Sequence, residues 1–392
     1  MRKHISIALM LLLLPVFSFG WTITLSPTTG YTLYNWSIDA TSDGGVIVAG
    51  LERTAFDTLV VTRLDAGGNL MWQWRTDQTT DDYIPQVAAY PSGDLQLCYT
   101  AFSIPGSPVS LIRFSHPDSI IWERTFSEDD PMPVYLPIGM KITDAGNLYL
   151  TGIRVSAAGT DVWGRVCVAR LNETGDFVWQ TECGEGFNPD DTIAMGTNIT
   201  QWGNSILTTG VYYPIRSDDS TSFRLFAALI DTDGTVLWEW EDIEYHTFAG
   251  SEIIPFTFCA PSGDRAMVGA SMILTDRVVS YLTILDDDGT PSFIRMLDSR
   301  IDDGIPFALS AAENGFFASG AKYFGTGVDT FAAWTAKLST TDGEPIWENT
   351  YLRGTTFTDM VSFPDEGFAA CGIYWVNGWV IRADDDGDTT FS

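Results

Sequence analysis

Acids dominate the residues able to do chemistry here. The chain has 392 residues, with 51 Asp and Glu against 21 Lys and Arg and only three histidines. His4 lies at the extreme N-terminus, which leaves His116, next to Pro117, and His246. Histidine-based metal centres and Ser-His-Asp catalysis therefore have little material. No Gly-x-Ser-x-Gly elbow and no phosphate loop occurs. Carboxylates remain, and paired carboxylates can cleave glycosidic bonds. One acidic pattern is ordered. Asp81-Asp82, Asp129-Asp130, Asp190-Asp191 and Asp302-Asp303 each stand just ahead of the apolar run that opens a repeating unit, and Glu252 is similarly placed. Asp82, Asp130, Asp191, Glu252 and Asp303 are thus the candidate binding residues. A ring of carboxylates at one mouth of a channel would suit a cation or a basic partner. The competing reading is local: Asp in a loop entering a strand accepts hydrogen bonds from nearby backbone amides.

Cysteine offers less. Cys98, Cys167, Cys183, Cys259 and Cys371 contain no Cys-x-x-Cys spacing, so neither a zinc cluster nor c-type haem is supported. Cys167 and Cys183 flank the turn at 172–176 almost symmetrically. That spacing suggests a disulfide across a hairpin in an oxidising compartment, against the alternative of two small buried hydrophobes. Cys98 and Cys371 take equivalent places in different units and read as core. The turns Asp231-Thr-Asp-Gly234, Asp286-Asp-Asp-Gly289 and Asp384-Asp-Asp-Gly387 share residues with calcium loops. They lack the twelve-residue ligand spacing and the closing Glu. Turn geometry explains them, and calcium is the one cofactor left open; no metal ligand set is assigned.

The elements that position these residues are written seven times. One signature is a turn glycine followed four residues later by an aromatic, as in Gly68–Trp72, Gly175–Trp179, Gly234–Trp238, Gly289–Phe293, Gly343–Trp347 and Gly387–Phe391. The second copy, ending at Trp122, has Asp118 in place of glycine. A second signature precedes each of these, as in Ser42-Asp-Gly-Gly45-Val-Ile-Val-Ala-Gly50 and Thr143-Asp-Ala-Gly146-Asn-Leu-Tyr-Leu-Thr-Gly152. Hairpin turns need positive φ, which glycine reaches without a Cβ clash. The runs between are β-branched and aromatic and too short for helices. Each unit therefore holds two hairpins. The period of roughly 50 residues marks a radial or stacked array. The expected fold class is all-β, a seven-bladed β-propeller of four-stranded blades. An aromatic at one fixed place per blade reads as inter-blade packing rather than ligand stacking.

Residues 1–20 read as a secretory signal peptide: a basic start at Arg2 and Lys3, an apolar Ile5 to Phe17, then Ser18-Phe19-Gly20. Residues 21–392 read as a single propeller domain without linkers. Trp21 lies in register with the repeat aromatics, and the last unit stops at Phe391-Ser392. An N-terminal strand completing the last blade would close the ring and remove an open edge. Phe391 and Trp21 then compete for similar positions. No cysteine suited to lipidation follows the cut, and no later stretch is apolar enough to span a membrane. The expected location is secreted, periplasmic or cell-surface. Residues 1–20 hold two basic residues and no acid, so the rest carries a net charge of −32. Such a chain repels nucleic acid and anionic lipid. The same charge also solvates exposed loops.

The two signatures together resemble the repeats of secreted bacterial β-propeller proteins described as PQQ-like or delta-type. The resemblance spans nearly all of residues 21–392. It implies a surface or secreted protein, often with a C-terminal sorting domain, which this chain lacks. It does not extend to quinoprotein dehydrogenases, because no vicinal cysteine pair and no haem motif are present. The expected function is a monomeric, non-catalytic binding module for a protein or glycan. The alternative is a propeller-fold hydrolase or lyase using acidic residues. Inserts near Val155 to Trp163 and Tyr212 to Ser222 lengthen the third and fourth units, and long loops on a rigid scaffold commonly carry binding.

Overall fold

Strands fill the structure because both faces of every blade are covered. A computed structural model describes residues 21–389, apart from segments 28–31, 54–56, 77–84, 101–107, 117–118, 127–135, 159–160, 185–191, 215–222, 243–255, 274–276, 300–302, 325–330, 354, 365–366 and 375–376. Blade 1 consists of Thr32–Ala40, Val46–Arg53, Asp57–Leu64 and Leu70–Arg75, paired antiparallel in that order from channel to rim. Blades 2 to 6 repeat this over residues 86–126, 136–183, 192–241, 256–298 and 304–353. Blades 3 and 4 also touch through one parallel pair, Gly164 with Ile193. Blade 7 takes Thr355–Ser362, Phe368–Tyr374 and Asn377–Ala383 from the C-terminus and Trp21–Leu25 from the N-terminus. The result is a seven-bladed β-propeller closed by its N-terminal strand.

No single core exists. The buried apolar residues form seven main clusters, one at each junction between neighbouring blades. In blade 1, Val46 and Val48 face blade 7, while Ile47 and Ala49 face blade 2. This is why the second strand, Val46–Arg53, is apolar without alternation: both of its faces are inside.

The repeat signature is a latch between blades. The Trp122 indole Nε1 of blade 2 donates to Glu173 O in blade 3 at 3.0 Å. Trp179 donates to Thr232 O at 3.0 Å, Trp238 to Asp287 O at 2.9 Å and Trp347 to Asp385 O at 2.8 Å. Each acceptor lies two residues before the turn glycine of the next blade. Those glycines hold positive φ and lie under the indole. A Cβ on Gly175, Gly234, Gly289 or Gly387 would sit 2.7–2.9 Å from the ring. Arg113 and Arg170 donate to the same carbonyls, Glu173 O at 2.6 Å and Thr232 O at 2.7 Å. At the copy without glycine, Trp72 instead meets the rings of Phe114 and His116, with centroids at 5.8 and 6.4 Å. The repeat aromatics are thus half-buried at the rim, and aliphatic side chains together with other aromatics of the inner strands fill the junctions.

Trp21 pairs with Arg382 in the register that pairs Trp72 with Arg63, Trp122 with Arg113 and Trp179 with Arg170. The N-terminal strand therefore fills the outer-strand place of blade 7. Phe391 lies outside the described residues.

The Cys167–Cys183 bridge is not formed; all five cysteines are free and buried. A bulge between Arg170 and Leu171 shifts the hairpin register, so Cys183 opposes Val166 and Cys167 opposes Glu182. The two thiols then point to opposite faces of blade 3, and Cys183 packs toward blade 4.

The latch predicts an asymmetry between turn glycines. Gly203, at φ +60°, has nothing within 4 Å of an added Cβ, whereas Gly234, at φ +93°, lies against Trp179. Gly203→Ala should cost about 1 kcal/mol from the left-handed backbone alone. Gly234→Ala should cost about 3 kcal/mol, because overpacking adds to that strain. Urea unfolding of the two variants measures the difference.

Candidate functional site

The first strands of all seven blades enclose a central channel of about 440 Å³. A bulge in the first strand of blades 1, 3, 4, 6 and 7 precedes Ser37, Gly139, Asn198, Ala308 and Asp359 respectively. Bulges re-aim the side chain that follows them. Gln86 and Cys259 take the corresponding places in blades 2 and 5, opposite Cys98 and Val268.

Bonds from this inner wall tie blade 1 to 2, 4 to 5, 6 to 7 and 7 to 1. Ser37 Oγ accepts from the Val87 amide at 3.2 Å, and Asp359 Oδ2 accepts from the Ile38 amide at 2.9 Å. Two residues further on, Asp39 Oδ2 accepts from the Ala89 amide at 2.9 Å and Ser310 Oγ from the Ser362 amide at 2.8 Å. Cys259 Sγ donates to Asn198 Oδ1 at 3.3 Å. Side-chain bonds, most of them to backbone amides, therefore stitch the inner wall at these four junctions.

Charge concentrates where blade 7 meets blade 1. Asp359 also accepts from the Met360 amide at 2.8 Å, and Lys141 Nζ lies 3.6 Å from Asp39 Oδ1. Burial pushes the Asp359 carboxyl up to about 7; the Ile38 and Met360 amides oppose that rise, and the nearby Asp39 carboxylate adds to it. Burial likewise raises the Cys259 thiol to about 12, so it is not a thiolate at neutral pH. Sequence reading missed Asp39, Lys141 and Asp359. Their signal was a charged residue inside an otherwise neutral first strand.

Of the acids singled out from sequence, Asp82, Asp130, Asp191 and Glu252 lie outside the described residues. Asp303 is described: its Oδ2 accepts from the Asp298 amide at 3.1 Å, and it borders a groove between blades 5 and 6. The Asp-rich turns spend their oxygens on their own backbone. Asp231 Oδ1 accepts from the Asp233 and Thr235 amides at 3.0 Å, and Asp384 Oδ1 from those of Asp386 and Asp388 at 3.1 and 2.8 Å.

No family model and no curated protein matches the chain. Solved structures share its fold. The polysaccharide lyase Uly1 is 10% identical with a TM-score of 0.53, covering 93% of this chain and 100% of that one. A PL25 ulvan lyase is 11% identical with a TM-score of 0.51, covering 93% and 97%. Drosophila Plexin A, in complex with Semaphorin 1b, is 10% identical with a TM-score of 0.48, covering 92% and 86%. At such identity the likeness defines a class, the β-propellers, and nothing narrower. Among the described residues no helix is long and apolar enough to cross a membrane.

Asp359 sets a pH dependence. Its carboxyl is raised above the ordinary 3.8, so the folded chain keeps a proton that the unfolded chain has released. Stability from this group is present below pH 4 and is lost as pH rises toward 7. The loss is at most about 4 kcal/mol. Asp39, Lys141 and Cys371 are the ionisable neighbours that face it. Asp359→Asn should be more stable than the parent at pH 8 and close to it at pH 4, measured by urea unfolding at both.

Proposed function

We propose that the chain is an exported binding propeller that engages a protein or glycan on the face bearing its longest hairpin. The observation that carries this is the extension of blades 3 and 4. Leu148–Ala158, Asp161–Leu171 and Thr192–Trp202 have 11 residues each and Ser205–Pro214 has 10. The other strands have four to nine. The blade 3 ladder continues to Ala158 opposite Asp161, and the Gly164–Ile193 pair ties it to blade 4. Two adjacent blades thus rise together as one braced wall. A rigid backbone platform beside a channel suits binding, because little ordering entropy is lost on contact. In sequence, Asp82, Asp130, Asp191, Glu252 and Asp303 lie between the fourth strand of one blade and the first of the next. With a net charge of −30, the partner is neutral or basic. The repeats are of the PQQ-like or delta-type kind found in secreted bacterial propellers, and residues 1–20 direct export.

A second reading has one observation in its favour. Asp359 holds a carboxyl near 7 beside Asp39, which is the tuning that acid–base catalysis uses. Both Asp359 oxygens, however, accept backbone amides, Ile38 across the seam and the adjacent Met360, which fits a structural role better. The polysaccharide lyases among the structural neighbours leave the enzymatic reading open.

Replacing residues 156–163 by an Asn-Gly turn tests the platform. Binding to a glycan array and to surface extract should be lost, with the melting temperature changed little. Retained binding would defeat the proposal. Polysaccharide cleavage abolished by Asp359→Asn would install the enzymatic reading in its place.

A further inference from the structure

The junction between blades 5 and 6 departs from the repeat twice. Phe293 stands where the other described outer strands carry Trp, so no indole N–H reaches the next turn. That turn is also one residue longer, closing from Ser339 to Glu344 where a typical one closes from Asp231 to Thr235. Arg295 takes over, donating to Gly343 O at 3.4 Å and pairing with Glu344 at 2.8 Å. Between the blades a groove of about 420 Å³ opens.

Its walls fix donors and acceptors in place. Glu348 accepts from Lys322 Nζ at 2.7 Å on one oxygen and from Trp334 Nε1 at 3.0 Å on the other. Trp334 is buried and clamped: a Cβ on Gly304 would fall 2.1 Å from its ring. Burial pushes the Glu348 carboxyl up, but the bonds from Lys322 and Trp334 outweigh it and hold it below its ordinary range. Asp303 borders the same groove, and Ile346, 57% exposed, gives it an apolar wall.

We infer that this groove binds a neutral saccharide. Arg295 and Lys322 face Asp303, Glu344 and Glu348, so opposite charges nearly cancel. A polyanion would have to displace Glu344 and Glu348 to reach either cation. A hydroxyl both donates and accepts, so vicinal sugar hydroxyls can bridge Glu348 and Lys322, already 2.7 Å apart. Ile346 lies along the groove and offers apolar surface to the C–H face of a pyranose. The volume is that of a small-ligand site. The site stands on blades 5 and 6 and does not depend on the platform of blades 3 and 4.

The test titrates the full chain with cellobiose, lactose and maltose up to about 10 mM and reads saturation-transfer NMR. At least one sugar should bind. Glu348→Gln and Lys322→Met should each weaken it about tenfold or more, because a charge-assisted bond is lost. A chain shortened at 156–163 should bind it unchanged, which separates failure of the groove from failure of the platform. If Glu348→Gln melts early, the exposed Ile346→Asp replaces it and should weaken binding similarly. No transfer from any of the three sugars, binding that survives the substitutions, or preference for a sulfated or uronate oligosaccharide would overturn the inference.

Discussion

At four of the seven junctions the described residues show a blade gripped by the one before it through an indole that needs a glycine beneath it. The Trp N–H reaches a carbonyl two residues before that glycine, and the flat ring lies where a Cβ would stand. One turn residue thus answers two demands, a left-handed backbone and a close aromatic approach. A single such bond contributes about 1 kcal/mol. Its importance is positional, because it sets the spacing at which the apolar clusters of the junction can pack. Without a central core, the fold stands on its seven junctions, and at four of them the latch fixes the approach.

The channel wall follows from that arrangement. Radial sheets place their first strands side by side with no hydrogen-bond ladder between them. Side chains must supply the links, and Ser37, Asp39, Ser310 and Asp359 do so by accepting amides of the next blade. The buried carboxyl near neutrality is therefore a consequence of how the seam is made. It also explains why the channel is a poorer candidate for turnover than its charge first suggests, and why recognition is better sought on the raised hairpins and in the groove.

The architecture was legible because its rules act on residue types at fixed spacing. Turn glycines, rim aromatics and two-sided apolar strands repeat with the blades, and Trp21 stands in register with them. The disulfide reading failed for a physical reason. Symmetry of Cys167 and Cys183 about a turn counts residues, whereas the bulge at that turn decides faces. Asp359 and Asp39 were not legible as a pair because the seam joins residues from opposite ends of the chain. Asp303 illustrates the limit for the acidic pattern: its carboxylate accepts a nearby amide, a role that sequence reading could set beside ligand binding but not choose.

Of the propeller's strands, Trp21–Leu25 is made before the others and pairs with one of the latest. Joining it to Asn377–Ala383 closes nearly the whole chain into a loop, at an entropic cost of about 5 kcal/mol. Six blades can form while the chain is still lengthening, but the seventh waits for Asn377–Ala383. Ring closure therefore reports that Asn377–Ala383 has been made. A product cut short before Asn377 keeps an unpaired strand at its N-terminus, an open edge that proteases and chaperones can recognise.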